Sequence, residues 1–262
     1  MRLRRSLLVL PAAAALLFAV PTAAFADESV QVKLDPLNNS GASGTATLTA
    51  TGNGDLTISI RSTGLVPNSP HAQHLHGSVD GMDFHCPPMS ADKDGNGFVS
   101  TEEGLPSYGD IFISLTSKGD TTKASGLAVD RMPTADARGD LSYDRTIAGA
   151  DLPEGTLRHL KDLHVVQHGV DANNNGKYDL EGLGESTLAT SAGLTGIPQE
   201  ATDPATCGMV TGAAAGSVPV GGVDTGDGSS LADSGRMYAI GGITLLAAAG
   251  LLVARRRLRG EN

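Results

Sequence analysis

The residues most able to do chemistry in this chain crowd into one stretch, His71 to Cys86. It reads HAQHLHGSVDGMDFHC and holds four of the seven histidines and one of the two cysteines. His74 and His76 form a His-x-His pair. In a β-strand, side chains at i and i+2 leave the same face about 6 to 7 Å apart at the backbone, so two imidazoles can converge on one metal ion. His71 extends the pattern to His-x-x-His-x-His, closed by Gly77.

A second chemistry, built on hard oxygen donors, is written at Asp92 to Glu103, DKDGNGFVSTEE. Asp92, Asp94 and Asn96 occupy the first, third and fifth positions of a calcium loop, and Gly97 the turn at the sixth. Phe98 offers its carbonyl at the seventh, Ser100 sits at the ninth, and Glu103 closes at the twelfth as a bidentate carboxylate. Donors so spaced wrap one calcium ion without needing flanking helices. Asp171, Asn173, Asn175, Gly176, Lys177 and Asp179 begin a second run in the same way. Its twelfth position, however, is Gly182, with Glu181 and Glu185 on either side. Calcium is expected in the first loop, and the second is left open.

His71, His74 and His76, preceded by GLVPNSP and followed by Gly77, resemble the segment of copper/zinc superoxide dismutases that carries two copper ligands and a nearby structural histidine. The ATCGMVTG segment around Cys207 is similar to that family's C-terminal Cys-Gly strand. The resemblance covers about Val30 to Gly212. It implies a Greek-key barrel, a Cys86–Cys207 disulfide, copper as the cofactor, and copper ligands at His74 and His76. Two cysteines in an exported chain generally pair, and a bond of this span would constrain the unfolded chain by about 4 to 5 kcal/mol.

A third copper ligand is expected from LHVVQHG. His164 and His168 stand about 13 Å apart along a regular strand, too far for both to reach one ion. The family's histidine follows a Val-Val pair and precedes a Gly- and Asp-rich turn, so His168 is the better match. His164 is then a core histidine or one standing behind the ligands. The set that would hold copper and be catalytic is therefore His74, His76 and His168. His85 or water would be the fourth ligand, although the family's bridging histidine follows the cysteine and His85 precedes Cys86.

Two family features are not matched. No histidine occurs from Pro87 to Arg158, so the family's zinc site is not expected. The family's guiding arginine, three residues before the second cysteine, is Pro204 here. Arg131, Arg138 and Arg145 are the candidates to replace it.

The elements that must position these residues read as strands. Val30, Val32 and Leu34, then Ala46, Leu48 and Ala50, then Leu56, Ile58 and Ile60 alternate with polar neighbours, as half-buried strands do. Asn-Asn-Ser-Gly at 38–41 and Gly52-Asn53-Gly54 mark turns between them. Further strands are expected at Pro70 to His76, Ile111 to Thr116, Asp140 to Ile147, Leu163 to His168 and Thr206 to Val210. A short helical turn is expected near Glu154 to Lys161. The fold class is all-β, a Greek-key barrel or sandwich of about eight antiparallel strands.

Residues 1–26 read as a secretory signal peptide: MRLRR, an apolar run, then Ala24-Phe25-Ala26. Residues 27–212 form the β domain, and 213–236 a Gly-, Ser- and Asp-rich stalk. Residues 237–254 are long and apolar enough to span a bilayer as one helix. The basic tail, 255–262, places that end in the cytoplasm. The domain is thus expected on the extracytoplasmic side of the cell membrane. The chain's net charge is −10, and much of its basic charge sits at the two ends, so the domain is more acidic still. Such a surface repels nucleic acid and suits cations.

Two functions follow. One is an anchored copper protein of the superoxide dismutase type, acting on superoxide or another small oxidant. The alternative is a non-catalytic surface module of the CHRD type, stiffened by calcium, that binds or supports.

Overall fold

The structure is a computed structural model that describes residues 27–210. The expected signal peptide, stalk, membrane segment and basic tail lie outside the described residues. Among the described residues no helix is long and apolar enough to cross a membrane.

Eight strands form one antiparallel sheet curled into a half-barrel. They are β1 (Glu28–Pro36), β2 (Ser43–Ala50), β3 (Leu56–Thr63), β4 (Gln73–Gly77), β5 (Ile111–Ser114), β6 (Leu141–Ile147), β7 (Leu163–His168) and β8 (Pro204–Met209). Their order across the sheet is β5-β4-β7-β8-β1-β2-β3-β6. Strands β1 to β3 form successive hairpins, pairing Val32 with Ala46 and Leu48 with Ile58. The alternation in sequence decides which face is buried: Leu56, Ile58 and Ile60 are fully enclosed, while Arg61 and Thr63 face out. After β3 the chain crosses to β4, and after β5 it crosses back so that β6 pairs with β3. Side chains of the edge strand β6 reach the segment just after the other edge strand, β5: Tyr143 Oη donates to the carbonyl of Thr116 at 3.1 Å and Arg145 donates to the same oxygen.

Strands β4 and β7 differ from the rest. All six residues of β7, and all of β4 but Gly77, are buried. Leu75 and Val165 join the half-barrel core. Gln73 and Gln167 share that inward face, where Gln167 Nε2 donates to Gln73 Oε1 at 3.0 Å and Ser62 Oγ to Gln167 Oε1 at 2.7 Å. The opposite face carries the histidines and lies under the long connections. There Leu37, Tyr108, Val166 and Cys207 form a second apolar cluster, with Cys86 against it. The Cys86–Cys207 disulfide, with Cα atoms 5.7 Å apart, pins the connection after β4 to β8.

The connections hold four short helices that apolar periodicity does not announce: α1 (Thr101–Tyr108), α2 (Leu180–Leu183), α3 (Thr187–Ser191) and α4 (Gln199–Thr202). Helix α1 starts with a capping box, in which Ser100 and Glu103 satisfy each other's backbone N–H. The helical turn expected near Glu154 to Lys161 is two 3-10 turns, Thr156–Arg158 and Leu160–Asp162. The strand expected from Pro70 starts only at Gln73, and the strand expected from Thr206 starts earlier, at Pro204.

Candidate metal centre

His74 and His76 leave β4 on its covered face, and the neighbouring β7 brings His168 to them. The register pairs His74 with Val166 and His76 with His164, then shifts between Gln167 and His168, where β8 carries an extra residue. One nitrogen from each of His74, His76 and His168 lies within 4.8 Å of the other two. All three rings are 1 to 3 % exposed.

Each ring is held by a backbone carbonyl on one nitrogen. His74 Nε2 donates to Gly126 O at 3.0 Å, His76 Nδ1 to Gly109 O at 3.0 Å, and His168 Nδ1 to Thr202 O at 2.6 Å. A carbonyl only accepts, so those nitrogens carry the hydrogens and the others carry lone pairs. The bare atoms are therefore His74 Nδ1, His76 Nε2 and His168 Nε2. His74 Nδ1 and His168 Nε2 face each other at 3.2 Å, and His76 Nε2 is buried with no hydrogen-bond partner.

Burial is the main reason these rings resist protonation. It lowers His76 to about 4 against the opposing pull of Gly109 O. It lowers His168 to about 3, helped by the charge of His76. His74 lies well below its ordinary value through burial and then the charges of His168 and His76. At neutral pH no proton sits between the facing lone pairs, so a cation fits this donor set. Backbone carbonyls that fix the far nitrogen are what a metal-binding imidazole needs for its tautomer and orientation.

The other histidines are placed differently. The His164 ring stacks on His76 with centroids 6.1 Å apart, and its Nε2 is buried without a partner. It does not belong to the three-nitrogen group. His85 is half-buried and goes with His164, whose pKa of about 4 owes something to it after burial. His71 stands behind the site, with Nδ1 2.8 Å from His168 O and Nε2 3.1 Å from Val66 O. Tyr178 Oη lies 3.0 Å from His71 Nδ1. Gly169, at φ +113°, leaves the room these two rings need, since a Cβ there would strike Tyr178 Oη and His71. Of the three arginines, Arg138 pairs with Asp136 and Asp140, and Arg145 is spent on the Thr116 and Gly119 carbonyls. Arg131 donates to Ser125 Oγ at 2.8 Å, next to the Gly126 whose carbonyl holds His74.

The oxygen-donor loop lies against this centre. Carboxylate oxygens of Asp92, Asp94 and Glu103 lie within 4.8 Å of one another. Asp92 accepts the N–H groups of Gly95 and Gly97, and Asn96 Oδ1 that of Phe98. Burial would raise the Glu103 pKa, but hydrogen bonds from Ser100, Lys93 and Asp94 outweigh it and hold the carboxyl below its ordinary range. The loop runs directly into α1, whose C-cap Gly109 supplies the carbonyl for His76. Tyr108 packs its ring 4.6 Å from that of His76. Asn38, from the turn after β1, clamps Val99 and Pro204 by donating to both carbonyls at 2.9 and 3.0 Å. Sequence signals marked Asn38 as a turn residue only. The second loop keeps Asp171 on the N–H groups of Asn175 and Gly176. Asn173 and Asn175 donate to Asp179, which also pairs with Lys177 at 3.3 Å.

No known protein family's sequence pattern matches the chain, and no curated protein matches it. Solved structures with a similar course of chain include the clock protein EA4, at 15% identity and TM-score 0.36, covering 69% of this chain and 93% of that one. Two variants of Candida albicans superoxide dismutase 5 are also similar. One has 16% identity and TM-score 0.33, covering 71% of this chain and 90% of its own. The other has 20% identity and TM-score 0.31, covering 57% and 85%. Likeness at this level assigns neither family nor activity to this chain.

Proposed function

We propose that this domain binds copper through His74, His76 and His168 and removes superoxide, as an exported domain held at the outer face of a membrane by residues 237–254. The donor set carries the reading: three buried imidazoles, each pinned by a backbone carbonyl on one nitrogen, present bare nitrogens to one another. Imidazole nitrogen suits copper in both of its common oxidation states, and bound copper would supply one-electron chemistry there. The protein's own part is to hold the rings. Gly109, Gly126 and Thr202 fix three tautomers, and His164, stacked on His76, and Tyr108, tilted against it, pack the His76 ring in place. Of the three candidate arginines we assign the anion-favouring part to Arg131, which bonds Ser125 next to the Gly126 segment and also donates to the carbonyls of Lys118 and Asp120.

Calcium in the Asp92–Glu103 loop is part of the same proposal, because that loop leads into the helix that holds His76. A zinc site of the family type is not part of it, because no histidine occurs from Pro87 to Arg158.

Copper loading of the full chain, followed by paramagnetic resonance and superoxide consumption, tests the reading. Nitrogen-coordinated Cu(II) lost in each of His74→Ala, His76→Ala and His168→Ala, with superoxide consumed only by the loaded wild type, is the expected result. Copper bound without superoxide removal above free-metal background would keep the site and reject the enzyme. That outcome would favour the second reading, a metal-stiffened surface module. The near-complete burial of the three rings, at 1 to 3 % exposure, is the observation on its side.

A further inference from the structure

The second oxygen-donor loop has no carboxylate at its twelfth position, where Gly182 stands. A carboxylate from elsewhere fills the same place in space. In the first loop, Glu103 Oε1 accepts the second-position N–H, that of Lys93, at 2.7 Å, and Oε2 accepts the ninth-position N–H, that of Ser100, at 2.9 Å. In the second loop, Glu200 on α4 does both. Its Oε1 accepts the second-position N–H, that of Ala172, at 2.8 Å, and its Oε2 the ninth-position N–H, that of Asp179, at 2.7 Å.

The rest of the two loops corresponds as well. The first-position Asp accepts the sixth-position glycine N–H in each, Asp92 from Gly97 at 2.9 Å and Asp171 from Gly176 at 2.7 Å. The fifth-position Asn accepts the seventh-position N–H in each, Asn96 from Phe98 at 2.8 Å and Asn175 from Lys177 at 3.1 Å. Gly182 itself explains the exchange. A Cβ built on it would collide with the Glu200 carboxylate, so the twelfth residue has given up its side chain where the incoming one lies.

A separate observation points to a cation. Glu200 is 0 % exposed, and no ion pair among the described residues includes it. A carboxylate has about four lone-pair sites, and two backbone N–H groups leave the others, and the charge itself, unmatched. A buried charge of this kind is stable when paired or bound to a metal.

We propose that Glu200 closes a second calcium site from outside the loop, with oxygen donors from Asp171, Asn173, Asn175 and the Lys177 carbonyl. Asp179 is held by Lys177 and by the N–H groups of Glu181 and Gly182, so two free carboxylates, Asp171 and Glu200, serve this site against three in the first loop, and affinity follows the ligand charge. It is therefore the weaker of the two. The inference rests on reading the first loop as a calcium site.

Calcium titrated into the metal-stripped full chain, followed by calorimetry, separates the two. Wild type should take up two ions. Glu200→Gln should weaken the second at least tenfold and keep the first, and Glu103→Gln should do the reverse. Asp171→Asn, which changes an accessible ligand and not the buried one, should reproduce the Glu200→Gln result and decides the matter if that variant misfolds. Two unchanged affinities in Glu200→Gln, or a single wild-type ion that Glu103→Gln abolishes, would overturn the Glu200 site and leave the first loop standing. No calcium uptake at all would reject both loops.

Discussion

The Nδ1–H of His168 is held at 2.6 Å by the carbonyl oxygen of Thr202, and that oxygen also accepts the hydroxyl of Thr101. Thr101 opens α1 at the tenth position of the first oxygen-donor loop, and Thr202 ends α4, the helix that carries Glu200. Both loops therefore meet at the ring whose other nitrogen faces His74. His76 is joined to the first loop as well, through Gly109 at the end of α1.

Calcium removal should accordingly act on the histidine centre. A ligand that binds only the folded state adds about 2.7 kcal/mol when present at a hundred times its dissociation constant. Chelated protein should melt at a lower temperature than calcium-loaded protein. Its copper affinity should fall by roughly the ten- to hundredfold that disturbing the groups behind metal ligands costs. Glu103→Gln should show the same loss without chelator. Equal copper affinity with and without calcium would show that the loops do not brace the rings.

Reducing the disulfide loosens the same region from another side. The bond joins positions 121 apart and packs beside Tyr108 and Val166. Replacing Cys86 and Cys207 together by Ser should cost about 2 to 5 kcal/mol. Thermal unfolding of that double variant, compared with wild type with and without reductant, reads the difference. A variant that melts with the wild type under oxidising conditions would count against any stabilising role.

How much of this was legible in the sequence differs by layer. Leu56, Ile58 and Ile60 alternate because one face of β3 is buried, and that pattern survives in any single sequence. The spacing of His74 and His76 likewise puts both rings on one face of β4. The hydrogen-bond partners of the rings could not be read, because Gly109, Gly126 and Thr202 act through backbone carbonyls, which carry no residue-type signal. Glu200 was invisible for a similar reason: a loop motif is a local pattern, and its carboxylate arrives from another helix. The helices α1 to α4 are too short to show an apolar period, so their ends are set by caps such as Ser100 and Asp179.

His71 should matter although it has no place among the bare nitrogens. Its ring spans the backbone oxygens of His168 and Val66 and meets Tyr178. His71→Ala would leave a buried carbonyl unpaired, at about 1 to 3 kcal/mol, and free the end of β7 that carries His168. Chemical unfolding and copper affinity should both decline. Tyr178→Phe should show a smaller fall of the same kind, and unchanged copper affinity in both variants would separate His71 from the centre.

The pH dependence of the metal-free, chelated protein should have a maximum near pH 6.5, because two kinds of buried group pull in opposite directions. Burial first of all lowers His76 and His164 to about 4 and His168 to about 3, with His74 also well below its ordinary 6.5. The unfolded chain gains protons at these rings below pH 6.5 while the folded chain does not. Their contribution is complete above 6.5 and is lost as pH falls towards the folded values, at about 1.4 kcal/mol per pH unit for each ring. Asp203 works the other way. Burial, reinforced by the charges of Glu102, Glu103 and Asp94 against a hydrogen bond from Gln199, raises its carboxyl to about 8, and Oδ2 has no partner. Its contribution is present below the ordinary carboxylate value of 3.8 and is lost as pH rises towards 8. Between pH 4 and 6.5 four rings outweigh one carboxyl, so stability climbs; between 6.5 and 8 the rings are done and Asp203 alone lowers it. Denaturant midpoints measured from pH 4 to 8.5 should trace that rise and fall, and Asp203→Asn should remove the decline above 6.5 and steepen the rise below it. A curve that keeps rising through pH 8 in the wild type would mean that Asp203 is ionised in the folded protein.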